Sequence, residues 1–397
     1  MQTKPRHINE IYVTRAIAIL GVLIVHATSY TIIDMKGTAY YGFYNAINTF
    51  FKYGTPTFIL LSSFVLFYSY SARPLTGKLM ASFYKRRMLY IILPYVLFSV
   101  MYFLYHYDVY ATYLAQDEML SEFFKRLMIG KASSHLYFVF ISIQFYLMFP
   151  LFLWFFKKFP RWSIHAFWIG FLIQWAFVFS LEQGWVTVEN RMSISLSYMA
   201  YYFTGVTLGM HFDKVERFFS ATRDALRSKW GVWTALLWLA WAAAAFGHIY
   251  VQYLSRTGLA APSQMTYQLF WNAHTYLSAF MLLQVSFVIY RKWAPWLVNT
   301  LMHLGVTSFG IYLLHLLVLN KYNTTFQTGD PVMYHLFIAG GFAVSLVVSW
   351  IVVGLVMKFI PGYWILFGAK PKRMPKKERT TETPVDNKGQ RVSSSAP

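Results

Sequence analysis

The chain is apolar for about twenty residues at a time, over and over, and this repetition restricts its fold more than any other property. A helix rising 1.5 Å per residue needs roughly 20 residues to cross a hydrocarbon layer of about 30 Å. Runs of that length lie at about 12–33, 50–70, 88–107, 135–156, 162–181, 193–211, 231–250, 267–290, 299–320 and 333–357. Gly, Thr and Ser interrupt the sixth and the ninth. Only 13% of the 397 residues are charged and 57% are hydrophobic. A soluble domain carries about a quarter charged residues, so lipid must replace water around most of this surface. The expected fold is all-α, a polytopic transmembrane helical bundle of about ten helices.

Charge orients the bundle. With the N-terminus inside, alternating loops place 26 Lys and Arg on the inner side and 8 on the outer side. The bias survives removal of the C-terminal tail, at 17 to 8, and predicts that both termini are cytoplasmic. Residues 1–11 then form a cytoplasmic N-terminus, 12–357 the membrane domain and 358–397 a basic tail. From about 370 that tail mixes charge with Pro, Ser and Thr and lacks an apolar face, so it reads as disordered. The net charge of +20 resides in short loops and the tail, which fits anionic lipid head groups rather than nucleic acid. The first apolar run has no small-residue cleavage site and contains an arginine, so no cleavable signal is expected. Cysteine is absent, which excludes disulfides, thiolate nucleophiles and thiolate metal sites.

An ionisable residue inside a span is costly and points to function. Arg15 and His26 stand in the first run, RAIAILGVLIVH. Eleven residues at 100° each bring both to one helix face, about 16 Å apart along the axis. Arg15 falls near the cytoplasmic boundary and His26 in the outer half. Arg15 has a bland reading, snorkelling to inner head groups, and His26 has one too, as a hydrogen-bonded packing residue. None of the fifteen Asp and Glu lies in the middle of a run. That argues against an ion-coupled transporter, which relies on buried carboxylate relays. No His-x-x-x-His or His-Glu-x-x-His pair is present, so no metal is expected, and there is no phosphate loop or nucleophile elbow. Lys85, Arg86 and Arg87 precede the third run, where three adjacent cations either set orientation or hold phosphate groups. The second run holds Ser62 and Ser63, small hydroxyl residues suited to close helix contact or to a polar path.

Taken in order, these pieces resemble the acyltransferase-3 family of integral membrane acyltransferases, over about residues 8–357. Arg15 and His26 match the family's first-helix arginine and histidine. Phe58 to Phe64 is similar to a phenylalanine-rich stretch ending Ser-Gly-Phe, with Ser63 in place of glycine. FYKRRMLYIILPY resembles a phenylalanine followed by paired arginines and a proline-containing helix. HLYFVFISIQFYLMFP, from His135, resembles the fourth-helix motif, and LGVTSFGIYLLH, ending at His315, resembles the late Ser-x-Gly-Ile-Tyr-Leu-x-His motif. Relatives that acetylate sugars carry glutamate before the Gln-Phe-Tyr-Leu stretch, whereas this chain has Ser142 and Ile143. A branch associated with exopolysaccharide lacks those acids too, and the chain looks closer to it.

The resemblance implies transfer of an acyl group, in most members acetyl, from cytoplasmic acyl-CoA to a hydroxyl of an extracytoplasmic carbohydrate. It implies the plasma membrane of a bacterium, with acyl-CoA as a donor substrate and no permanently bound cofactor. His26 would act as general base. Arg15 would position the donor, since a guanidinium does not accept a proton. Lys85, Arg86 and Arg87 would meet the anionic CoA. Ser62, Ser63, Tyr68, Asp34, Asn45, Asn48, His135 and His315 are candidates for the channel or the acceptor mouth. Direct transfer and a covalent acyl intermediate both remain open, as does the oligomeric state. An exporter or flippase of polysaccharide or lipid-linked sugar is the alternative, and a non-enzymatic partner of a synthase complex a third reading.

Overall fold

The computed structural model describes residues 6–326, 330–371 and 373–377. Among them no strand occurs. Ten long helices follow the ten apolar runs: α1 Glu10–Ala27, α2 Tyr41–Tyr70, α3 Gly77–Tyr105, α4 Tyr137–Lys158 and α5 Ala166–Glu182, then α6 Met199–Ser220, α7 Lys229–Thr257, α8 Gln264–Lys292, α9 Pro295–Thr325 and α10 Pro331–Phe359. Eight of these are long and apolar enough to cross a membrane. The other two are α5, which has only 17 residues, and α6. The fold is an all-α polytopic bundle.

α1 runs through its middle and packs against α2, α8, α9 and α10. Its buried residues, among them Ile11, Val13, Ala16, Ala18, Ile19 and Leu23, point in every direction, as befits a helix surrounded by others. Arg15 and His26 therefore project into protein, not lipid. Peripheral helices instead expose large apolar side chains such as Leu172, Leu239, Phe246 and Leu336, the surface that lipid covers.

Small residues set how closely the helices approach. Gly205 and Gly209 of α6 lie one turn apart against α2, where an added Cβ would sit 2.6 Å from the Leu60 carbonyl oxygen and 2.7 Å from that of Phe64. This is the small-xxx-small contact of membrane helices. Ser63 fixes the same crossing by donating its hydroxyl to the Tyr202 carbonyl at 2.6 Å. Prolines shape two other helices. In α3, Pro94 lacks the amide that would bond back to Tyr90, and the helix widens to a π-turn over Met88–Ile92. In α4, Pro150 stands four residues after Tyr146.

The first and last described residues share one face. Arg6 pairs with Glu216 at the end of α6 (2.8 Å), Arg291 at the end of α8 donates to the Ala221 carbonyl (3.2 Å), and Lys377 donates to the Arg291 carbonyl (3.0 Å). This is called the terminal face below. The packed body extends past the boundary drawn at 357, because Trp364–Phe367 forms a helical turn whose Phe367 is buried against Phe98, 6.0 Å between rings. The rest of the tail expected to be disordered, 378–397, lies outside the described residues.

Candidate functional site

Two cavities open along α1, one near each of its polar residues. The cavity toward the terminal face, of about 250 Å³, is walled by Arg15, Ser62, Arg87, Ser142, Tyr146 and Ser308, among others. The cavity on the opposite side, of about 290 Å³, is walled by His26, Lys52, Tyr137, Arg191, Tyr267 and Trp271, among others. Phe58, Phe138 and Tyr312 belong to the first wall, while their near neighbours Thr55, Pro56 and Tyr137 belong to the second. The Phe58 and Phe138 rings are 5.8 Å apart and those of Phe138 and Tyr312 5.3 Å. These three rings form a layer between the cavities.

Behind that layer three imidazoles converge from α1, α9 and the residues just before α4. Ring centroids are 5.1 Å apart for His26 and His315, 5.1 Å for His135 and His315 and 6.3 Å for His26 and His135. His135 is 1% exposed and His315 0%. His315 Nδ1 faces the carbonyl oxygens of Tyr312 (2.7 Å) and Ile311 (3.2 Å). Only a protonated Nδ1 suits two acceptors, so the lone pair rests on Nε2, a buried atom without a hydrogen-bond partner. His135 Nδ1 meets the Ser133 hydroxyl at 3.1 Å, and its Nε2 is likewise unpartnered. Tyr312 donates to the His135 carbonyl, and Tyr102 of α3 donates to the Leu313 carbonyl at 2.9 Å. α3, α9 and the segment leading into α4 are thereby tied around the imidazoles.

The first cavity carries positive charge, and among the described residues no carboxylate stands in its wall. The Arg87 guanidinium lies 5.1 Å from the Phe83 ring and 4.7 Å from the Tyr146 ring, held by cation–π attraction, and its buried Nε has no partner. Tyr146 reaches Ser62 at 3.3 Å. Ser142, standing where related motifs carry an acid, lines the cavity but turns its hydroxyl to the Phe138 carbonyl at 3.0 Å.

Of the residues singled out from sequence, Arg15, Arg87 and Ser62 meet in one cavity, and His26, His135 and His315 meet in the imidazole cluster. Others lie elsewhere. Consecutive helical residues point about 100° apart, and Lys85 and Arg86 are exposed, so of the three adjacent cations Arg87 is the one that lines this cavity. Ser63 serves the α2–α6 crossing. Tyr68 packs on Phe64 and Phe212 (6.0 and 6.1 Å). It lies toward the terminal face, not at the far mouth, because α2 runs back toward that face. Asn48 and Asn45 accept from Arg256 at 2.9 and 3.0 Å, a clamp between α2 and α7. Asp34 accepts from the Tyr334 hydroxyl at 2.5 Å, which ties it to α10. Two residues of the second cavity escaped the sequence reading, Lys52 and Arg191, since both read there as loop charges.

A bundle with eight membrane-length helices, enclosing a basic cavity backed by buried imidazoles, defines a multi-pass membrane protein with a built interior site. The family model described as an acyltransferase domain matches residues 8–354, and the chain belongs to that family: it is a membrane acyltransferase. Comparison with curated proteins and with solved structures gave no match.

Proposed function

We propose that this acyltransferase takes its acyl group from acyl-CoA entering at the terminal face and transfers it to a hydroxyl of a carbohydrate on the opposite side. The observation that carries this reading is the stacking of two cavities on either side of one imidazole cluster. Arg15 and Arg87 offer the first cavity two guanidiniums that, among the described residues, have no carboxylate partner, suited to the phosphate groups of CoA. The thin pantetheine arm passes the Phe58–Phe138–Tyr312 layer and brings the thioester carbonyl to His26. There the acceptor oxygen attacks the carbonyl carbon, its proton passes to a neutral imidazole nitrogen of His26, and the carbon–sulfur bond breaks. The departing thiolate takes that proton back from His26, so the histidine ends as it began. His315, its tautomer set by backbone carbonyls, is the neighbouring imidazole that steadies His26.

The loop charge bias supports a cytoplasmic terminal face, hence a cytoplasmic donor, and a bacterial plasma membrane. Acetyl is the expected acyl group, and an exopolysaccharide or other surface glycan the expected acceptor, from the motifs the chain shares and the glutamates it lacks. An exporter needs a continuous polar conduit, which the aromatic layer interrupts. The test is mass spectrometry of surface glycans from cells carrying the wild-type chain, His26→Ala or no chain. An ester lost in the last two, with His26→Ala still accumulating in membranes, is the expected outcome. Wild-type ester levels in His26→Ala would reject the role of His26.

A further inference from the structure

The second cavity has a chemical character of its own. Two cations, Lys52 and Arg191, stand in its wall, and among the described residues no carboxylate does. Lys52 is half-buried and, among the described residues, makes no hydrogen bond or ion pair. Its neighbour Arg256 is close enough to repel it, and the side-chain partners of Arg256 are the neutral amides of Asn45 and Asn48. Arg191 faces a neutral group as well: the Gln264 carboxamide, turned to put its oxygen toward the guanidinium, would accept from both terminal nitrogens at 2.5 Å. The nearby Glu189 is turned to Lys131, at 3.2 Å. Unneutralised charge in a partly dry cavity is costly, and a bound anion removes that cost.

The rest of the wall combines aromatic and polar side chains. Tyr137, Tyr198, Tyr267 and Trp271 give it aromatic faces. Gln268 is 7% exposed, lines the cavity and has no hydrogen-bond partner among the described residues. Apolar and aromatic walls with a few convergent polar groups are what small-ligand sites look like.

We infer that the His26-side cavity binds an anionic saccharide, with Lys52 and Arg191 holding its carboxylate or phosphate, Gln268 a hydroxyl, and the aromatic faces the sugar ring. This rests on the proposed function for calling the ligand an acceptor, but its binding stands apart from catalysis.

Binding to the purified full chain in lipid nanodiscs tests it, by isothermal titration calorimetry with three probes. These are maltotriose (neutral), trigalacturonate (carboxylate) and glucose 6-phosphate (phosphate). At least one anionic probe should bind about tenfold or more tighter than maltotriose, the scale of one charge-assisted hydrogen bond. Whichever anion gains identifies the source of the charge. The preference should vanish in Lys52→Gln/Arg191→Gln and persist in Lys52→Arg, which retains the charge. Equal binding of all three probes overturns the inference, and so does a preference that survives the double glutamine variant. Failure of the proposed function shows separately, as wild-type protein that neither cleaves nor transfers acetyl from acetyl-CoA.

Discussion

At the scale of single residues, Arg86 and Arg87 are neighbours in sequence with different surroundings. Arg87 is packed between the Phe83 and Tyr146 rings at the cavity wall, while Arg86 is exposed and bonds Ser82 at 3.0 Å. Arg87→Gln should raise the KM for acyl-CoA roughly tenfold or more, the loss of a charge-assisted contact. Arg86→Gln should stay within about twofold, the modest effect of an exposed charge. Initial rates against acyl-CoA concentration distinguish the two, and equal effects would remove the assigned difference. The same contrast marks what was legible beforehand. Arg15 and His26 stand out because a charge or an imidazole in a long apolar run has few explanations. The outward turn of Arg86 was hidden, because a run of like charges does not say which member faces inward. Lys52 was hidden for another reason: it stands at the edge of an apolar run, where a charge reads as loop. Its place in a cavity became visible only when α2 proved to begin at Tyr41, eleven residues earlier in the chain than Lys52.

At the scale of helices, the apolar runs located the elements well but not their ends. α7 and α8 have 29 residues each, about 44 Å of helix at 1.5 Å per residue, which exceeds a bilayer core and obliges them to tilt or protrude. Polar ends carry no apolar signal, so the sequence reading stopped where the lipid-like composition stopped. Helix pairing was less legible still. The α2–α6 crossing depends on Gly205 and Gly209 meeting backbone, and single glycines in an apolar run do not name their partner. Gly205→Val should destabilise the bundle by about 1–3 kcal/mol, the cost of overpacking a close contact. The expected sign is a lower melting temperature in detergent and earlier aggregation on size-exclusion chromatography. A melting temperature equal to the wild type would mean that α2 and α6 do not touch there. Ser63→Ala removes the donor to the Tyr202 carbonyl and should cost about 1 kcal/mol, without raising the KM for acyl-CoA. A raised KM would place Ser63 in the donor path after all.

At the scale of the whole molecule, orientation can be measured directly because the chain has no cysteine. Lys36 and Lys78 are exposed near opposite ends of the bundle. In intact cells a membrane-impermeant maleimide should label Lys36→Cys and spare Lys78→Cys until the membrane is opened. The reverse pattern would invert the assignment of the donor side. The charge bias predicts this orientation without any structure, since it sums many residues, whereas the convergence of His26, His135 and His315 from distant parts of the chain could be neither counted nor spaced in sequence. The aromatic layer of Phe58, Phe138 and Tyr312 carries a consequence for the cell. A protein hollowed from both sides is a standing hazard to the ion gradients that a membrane maintains, and we propose that these packed rings keep it electrically insulating between turnovers. Proteoliposomes bearing Phe138→Ala should therefore dissipate an imposed potential faster than those bearing the wild type, and an unchanged leak would show that the insulation resides elsewhere.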